Sequence, residues 1–377
     1  MKLSYIEIDN FKAFIGFKMD FSDITAVIGD NAAGKSSLIQ ALAFLRYTCT
    51  QGAALFFNER SMKIENIVSK IPPAPKKIIQ FKLGFESSEE KLIDWSVSFT
   101  ARKQSEQIEL REEHVTVRGH AEVRPEKVLS YSESAESYRM EYRGGKPEKV
   151  VIPSGRYMDS LIINIDRKLA DVCPELWAIH DYFENMVLLD LLTPKDMRRA
   201  ARSSERSLGT SGEKLPALIK RLTPEEMKDL CITLGHVLPG LSSVQSVMKG
   251  GPGWAHLKLL EKYGDRRLSV ESPEISDGSL RLIAYYALKY LEKKGGMTLL
   301  DEVEDGINSA NLRDFLEYIK KYAEDSDQQV LITTHSTVLI DEFAPENIRY
   351  MYRDEHGAVQ CKVFGQSEEI QRQLEFL

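Results

Sequence analysis

Gly29-Asp30-Asn31-Ala32-Ala33-Gly34-Lys35-Ser36 is the stretch that decides how this chain is read. It fits the pattern G-x-x-x-x-G-K-[ST], in which glycines let the backbone curl around a phosphate chain and successive N–H groups point at the anion. Its surroundings agree. Ile24-Thr25-Ala26-Val27-Ile28 before it reads as a short buried strand, and Ser37 to Leu45 after it reads as a helix. The N-terminus of that helix adds its own attraction for anions. Lys35 supplies a point charge and Ser36 a magnesium ligand, while Gly29, Asn31, Ala33, Gly34 and Ser37 complete the cradle. Strand, loop and helix together predict a bound nucleoside triphosphate with Mg2+.

Length and composition set the bounds. A chain of 377 residues holds either two to three average domains or one large α/β domain with insertions. Its 42% hydrophobic and 28% charged residues are those of a soluble globular protein. No apolar run approaches the ~20 residues that span a bilayer, and Met1-Lys2-Leu3-Ser4-Tyr5 enters a strand pattern instead of a signal peptide. A cytoplasmic location without membrane contact is expected. Cys49, Cys173, Cys231 and Cys361 are scattered, which suggests neither a zinc site nor a disulfide framework. A net charge of -7 argues against a surface built wholly for nucleic acid but leaves room for a local basic patch.

Along the chain, Leu3, Tyr5, Ile6 and Ile8 mark a first strand and Phe14 to Met19 a second. From about Ile78 to Ile152 the pattern is that of β-hairpins in an antiparallel meander, with a turn at Gly144-Gly145-Lys146-Pro147. Between about Asp171 and Gly253 the period becomes helical, with candidates at His180–Leu192, Pro194–Arg206, Leu215–Leu222 and Pro224–Leu234. Thr193 and Thr223, each before a proline, read as N-caps. The last third alternates strands (Leu268–Val270, Met297–Leu300, Gln329–Ile332) with helices (Ser279–Lys294, Asn311–Tyr322), which predicts a parallel sheet.

Three further motifs follow the phosphate loop in a fixed order. Ser276-Asp277-Gly278-Ser279 opens a helix and offers a hydroxyl, a glycine N–H and a helix N-terminus to a second phosphate. Met297 to Leu300 is an apolar strand ending in Asp301 and Glu302, a metal ligand and a general base for an attacking water. Leu331-Ile332-Thr333-Thr334-His335-Ser336 ends a third strand in a histidine.

In this order the elements resemble the ABC-type ATPase head: phosphate loop, signature loop, acidic strand end, histidine switch. The resemblance implies an α/β P-loop NTPase fold with an antiparallel β region in the first lobe and a helical insertion before the signature. The lobes are expected at 1–170 and 261–377, with the insertion at 171–260. It implies ATP and Mg2+ as cofactors, and Lys35, Glu302 and His335 as catalytic residues. It further implies a homodimer, or a higher even oligomer, whose heads sandwich ATP so that Ser276 and Gly278 reach the phosphate held by Lys35 of the partner subunit.

Asn10-Phe11-Lys12-Ala13-Phe14 resembles the opening turn of RecF, SMC-head and OLD-type ATPases, in which the basic residue, here Lys12, lies near the nucleotide. Ser276-Asp277-Gly278-Ser279-Leu280-Arg281 and Leu300-Asp301-Glu302-Val303-Glu304-Asp305-Gly306-Ile307 both resemble the stand-alone bacterial AAA ATPases of this group, which often belong to antiphage defence systems; the resemblance implies a separate effector, a nuclease or a toxin. A RecF-like ATPase clamping DNA directly is the alternative. A transporter subunit is disfavoured by the long insertion between Ser36 and Ser276. Val303 and Asn308-Ser309 depart from the Pro and His-Pro usual after the acid pair, and no Q-loop glutamine is assigned. Lys195, Arg198, Arg199, Arg202 and Arg206 recur at helical steps and form either a basic face for nucleic acid or an ordinary solvated surface. Gly212-Glu213-Lys214 reads as a loop between helices. His114 and His120 lack an acidic cluster that would make a metal site.

Overall fold

Strand β1 (Lys2–Asp9) buries Ile6 and Ile8 at period two, and a register shift between Leu3 and Tyr5 brings Leu3 into the core as well, while Lys2 stays exposed. Its antiparallel neighbours are β2 (Phe17–Asp20) and, farther along the chain, β4. The computed structural model describes residues 1–71, 77–87, 90–102, 107–119, 125–133, 139–140, 157–165, 167, 170–171, 173–189, 193–204, 206–248 and 253–364. They fall into two compact units. Unit 1 comprises Met1–Met186, Gly295–Met297 and the chain from Ala344 onward; unit 2 comprises Val187–Lys294 and Thr298–Phe343.

In unit 1, β3 (Ile24–Ile28) is followed by the phosphate loop, α1 (Lys35–Thr50) and α2 (Ala53–Glu59). Then come β4 (Ile78–Glu86), β5 (Lys91–Arg102), β6 (Gln107–Gly119), β7 (Glu126–Ser132) and β8 (Arg139–Met140). They make the expected antiparallel meander, a seven-stranded sheet in the order β2-β1-β4-β5-β6-β7-β8. The turn expected at Gly144–Pro147, and His120, lie outside the described residues. Phe44 of α1 meets Phe99 of β5 at 5.4 Å between ring centroids and Phe81 of β4 at 5.9 Å, which seats the helix on this sheet. Beside it, α3 (Pro174–Glu184) packs Tyr182 on Phe85 and Phe183 on Trp95.

Unit 2 begins with β9 (Val187–Leu189), then α4 (Pro194–Met197), α5 (Leu215–Lys220) and α6 (Pro224–Val237). Next is an antiparallel sheet of β10 (Leu241–Met248), β11 (Ala255–Tyr263) and β12 (Arg266–Glu271), leading into α7 (Asp277–Tyr286). Strand β13 (Met297–Leu300), α8 (Leu312–Ser326), β14 (Gln329–Thr333) and α9 (Thr337–Ile340) follow, with β14, β13 and β9 side by side. The chain then returns to unit 1 as β15 (Ile348–Arg353) and β16 (Val359–Val363), where β15 pairs parallel with β3 and antiparallel with β16.

Several expected helices are shorter. Residues 187–189 leave the helix expected over His180–Leu192 and pair parallel with β13, because Val-Leu-Leu is apolar on all sides and suits a buried strand. The helix expected over Pro194–Arg206 lasts one turn, since Ala201 exchanges backbone hydrogen bonds with Ala255 at 2.9 Å. Strand β10 interrupts the helical period expected up to Gly253. The helix expected to reach Lys294 ends at Tyr286, and Glu292, left-handed at φ 58°, cannot continue it. Of the two threonine caps, Thr223 forms a full capping box with Glu226, whereas the Thr193 side chain makes no cap bond.

Candidate nucleotide site

The shape of the phosphate loop is imposed by strands far along the chain. Gly29, at φ +147°, runs so close to β15 that a Cβ there would lie 2.1 Å from the Met351 carbonyl oxygen. Gly34 is left-handed at φ +102° and lies 2.9 Å, measured to such a Cβ, from a Val359 methyl of β16. Ala32 is left-handed too (φ 65°), and Arg353 Nε steadies it by donating to its carbonyl at 2.8 Å. Lys35 is only 5% exposed, and its Nζ donates to the carbonyls of Gly29 at 2.8 Å and Asp30 at 3.1 Å. Gly34 caps α1 without any side-chain bond, and no acid stands in the first turn, so the positive end of the helix is unneutralised from within. Asn31 is exposed, Ala33 buried, and Ser36 and Ser37 half-buried.

Lys12 comes to the same helix. Left-handed at φ 52°, with its N–H on the Ile67 carbonyl at 2.7 Å, it directs Nζ to Gln40 of α1. Burial first, then the Arg60 guanidinium, lower its pKa from the ordinary lysine value.

Unit 2 gathers the other motifs. The Thr333 hydroxyl at the end of β14 donates to Asp301 Oδ1 and accepts the Glu302 N–H at 2.8 Å, so one side chain fixes both acids. Glu302 is exposed and left-handed (φ 46°). Glu304 accepts the backbone N–H of His335, while its Oε2 is buried with no partner among the described residues. Ser276 caps α7 by accepting the Ser279 N–H at 3.1 Å and donates to the Ser279 hydroxyl at 2.8 Å. Gly278 lies on the loop after the acids: a Cβ there would be 2.0 Å from the Gly306 carbonyl oxygen. Arg281 closes that contact by donating to the Asp305 carbonyl at 2.7 Å.

Four contributors escaped the sequence reading. Thr333 lies within Leu331–Ser336 and Glu304 two residues after the acid pair; a hydroxyl level with a strand-end acid and a further acid are the signals that mark them. Arg281 lies two residues after the signature, with no local sign of its role. Arg198, read either as part of a basic face or as ordinary solvated surface, pairs with Asp277 and donates to the Ile275 carbonyl at 2.6 Å. The basic face itself does not form: Arg199 pairs with Asp196 at 3.2 Å and Arg206 with Glu226 at 2.6 Å, on a segment that is not helical beyond Met197.

As candidate magnesium ligands, the Ser36 hydroxyl and the Asp301 carboxylate are hard oxygen donors. That chemistry fits an ion which commonly takes one or two protein ligands and keeps its waters. No cluster of three His, Cys, Asp or Glu that could hold a metal occurs among the described residues. The four cysteines are free thiols, and no described helix is long and apolar enough to cross a membrane.

A family model described as "AAA domain, putative AbiEii toxin, Type IV TA system" matches residues 24–341. No curated protein matches the chain. Among solved structures it is similar to an SMC head bound to the C-winged helix domain of ScpA, at 16% identity and a TM-score of 0.58, over 96% of this chain and 98% of that one. It is also similar to an SMC head with an extended coiled coil bound to the C-terminal domain of ScpA derived from Pyrococcus furiosus, at 15% identity and a TM-score of 0.52, over 99% of each. At such identities the likeness establishes the fold alone, that of an SMC head.

Proposed function

The chain belongs to this family of AAA domains, and from that premise we propose that it is an ATP-binding and ATP-hydrolysing ABC-type head. It dimerises around ATP and controls a separate effector, a nuclease or a toxin, in an antiphage defence complex. The observation that carries the reading is Lys35: a buried ammonium held by two loop carbonyls, at the mouth of a helix whose first turn has neither a side-chain cap nor an acid. Such a site suits a polyphosphate.

In this reading Gly29, Asn31, Ala33, Gly34, Ser36 and Ser37 wrap the phosphates, and Lys12 stands by the same helix. Ser36 and Asp301 would hold Mg2+, which when bound neutralises charge on the phosphates. Glu302 orients and deprotonates the attacking water, and His335 acts with it. The Thr333 hydroxyl and the Glu304 carboxylate keep these groups in register. Ser276 and Gly278 serve the nucleotide of the partner subunit. Family membership and the ScpA-bound relatives support a role exerted through another protein.

The test is nucleotide binding and turnover by the purified chain. Wild type should bind ATP with Mg2+ and release phosphate. Lys35→Ala should lose binding, and Glu302→Gln should bind ATP while turning over at least about 100-fold more slowly, the scale of a lost general base. Retention of ATP affinity by Lys35→Ala would refute the assignment of the loop.

A further inference from the structure

Unit 2 contains a second concavity that none of these motifs uses, an open groove of about 980 Å³ beside α5 and the start of β11. Its walls bring together Arg202, Lys214, Lys220 and Arg221, with Ser204 and Trp254, and among the described residues no carboxylate lines it. Neighbouring cations behave differently: Arg198, Arg199 and Arg206 are each ion-paired. Arg202, Lys214 and Arg221 make no ion pair among the described residues, and Lys220 Nζ meets only the Met248 sulfur, at 3.0 Å. In a chain of net charge -7, four converging cations mark a field directed at an anion.

Two large apolar side chains stand exposed at the same place, Trp254 at 44% and Met248 at 62%. Beside Trp254, Gly253 (φ +86°) has no side chain to displace Arg202, whose Nε would be 3.1 Å from a Cβ at that position. Cations for phosphates and an exposed indole for stacking are the two components of a sequence-tolerant single-strand site. A duplex keeps its base faces stacked internally and would leave the indole unused.

We propose that this groove binds single-stranded nucleic acid, with phosphates on Arg202, Lys214, Lys220 and Arg221 and a base stacked on Trp254. The site is independent of the nucleotide loop.

The test is fluorescence anisotropy of the full chain with a labelled oligothymidylate of about 20 nucleotides across a salt series, with melting temperatures of every variant. Trp254→Ala should weaken binding by roughly 5- to 150-fold, Trp254→Phe should recover most of that loss, and neither should change the salt slope. The double variant Arg202→Gln with Arg221→Gln should reduce the slope of log K against log salt by about 1.4, about 0.7 per lost phosphate contact. Failure to bind the strand at low salt overturns the proposal, as does binding that all variants leave unchanged. Inorganic phosphate displacing the strand at equal phosphate concentration would reduce the groove to a simple anion site. Equal duplex affinity, indifferent to Trp254→Ala, would overturn the assignment to a single strand.

Discussion

Gly278 illustrates how one residue joins two motifs. A methyl group there would press on the Gly306 carbonyl at 2.0 Å, and Gly306 is backbone that cannot rotate away. Alanine normally stabilises a helix over glycine by about 1 kcal/mol. Gly278→Ala should do the opposite, lowering stability by about 1–3 kcal/mol as an overpacked contact does, and reducing ATP turnover while leaving ATP binding intact. Urea unfolding and a phosphate-release assay measure the two effects. Glu113 gives a second prediction. Wholly buried, it accepts from Trp95 Nε1 at 2.9 Å, Ser160 Oγ at 2.5 Å and the Leu161 N–H at 2.7 Å. Burial outweighs these bonds and pushes its carboxyl up to about 7. The folded state therefore holds this proton more tightly than the unfolded chain, whose carboxyl titrates near 4.5. Its contribution, on the order of 3 kcal/mol, is complete below pH 4.5 and is withdrawn as pH rises to about 7. Glu113→Gln should flatten the decline of melting temperature across that window; an unchanged profile would contradict the assignment. At this scale the strand, loop and helix around Gly29 to Ser36 were legible, because the pattern lies in eight consecutive residues flanked by a buried strand and a helix. Arg198 and Glu304 were not, because their partners Asp277 and His335 lie far along the chain.

Elements were legible where periodicity was strong. Helix α8 buries Leu312, Phe315, Leu316, Ile319, Tyr322 and Ala323, the spacing of one helical face, and it was placed to within a few residues. Helix α6 begins at a capping box whose Thr223 Oγ1 accepts the Glu226 N–H at 3.2 Å and whose Glu226 Oε2 accepts the Thr223 N–H at 2.8 Å. Thr223→Ala should cost about 1 kcal/mol in urea unfolding, with ATP turnover unaffected. Strand β9 was misread because a continuous apolar triplet carries no period, and only its parallel partner β13 decides in favour of a strand. Helix α4 was overextended for a related reason: the bridge between Ala201 and Ala255 that replaces its later turns is a tertiary contact. The signature helix α7 depends on both kinds of information. Its Ser276 cap follows from local sequence, whereas its Arg198 clamp does not.

Across the whole molecule, the phosphate loop and Lys12 belong to one compact unit, and the signature, the acids and His335 belong to the other. The order of motifs pointed to the fold class because each is local and stays readable whatever lies between them. Sequence gave no comparable sign that the chain from Ala344 onward rejoins the first unit, where β15 and β16 shape the phosphate loop through Met351 and Val359. The central claim, that ATP closes two copies of this chain around a shared site, is tested most directly by the mass of Glu302→Gln in sedimentation equilibrium with saturating ATP and Mg2+. Closure around ATP predicts twice the mass of the chain with ATP, the single mass without it, and the single mass for Glu302→Gln carrying Ser276→Arg. A nucleotide-saturated Glu302→Gln that sediments as a monomer would contradict it.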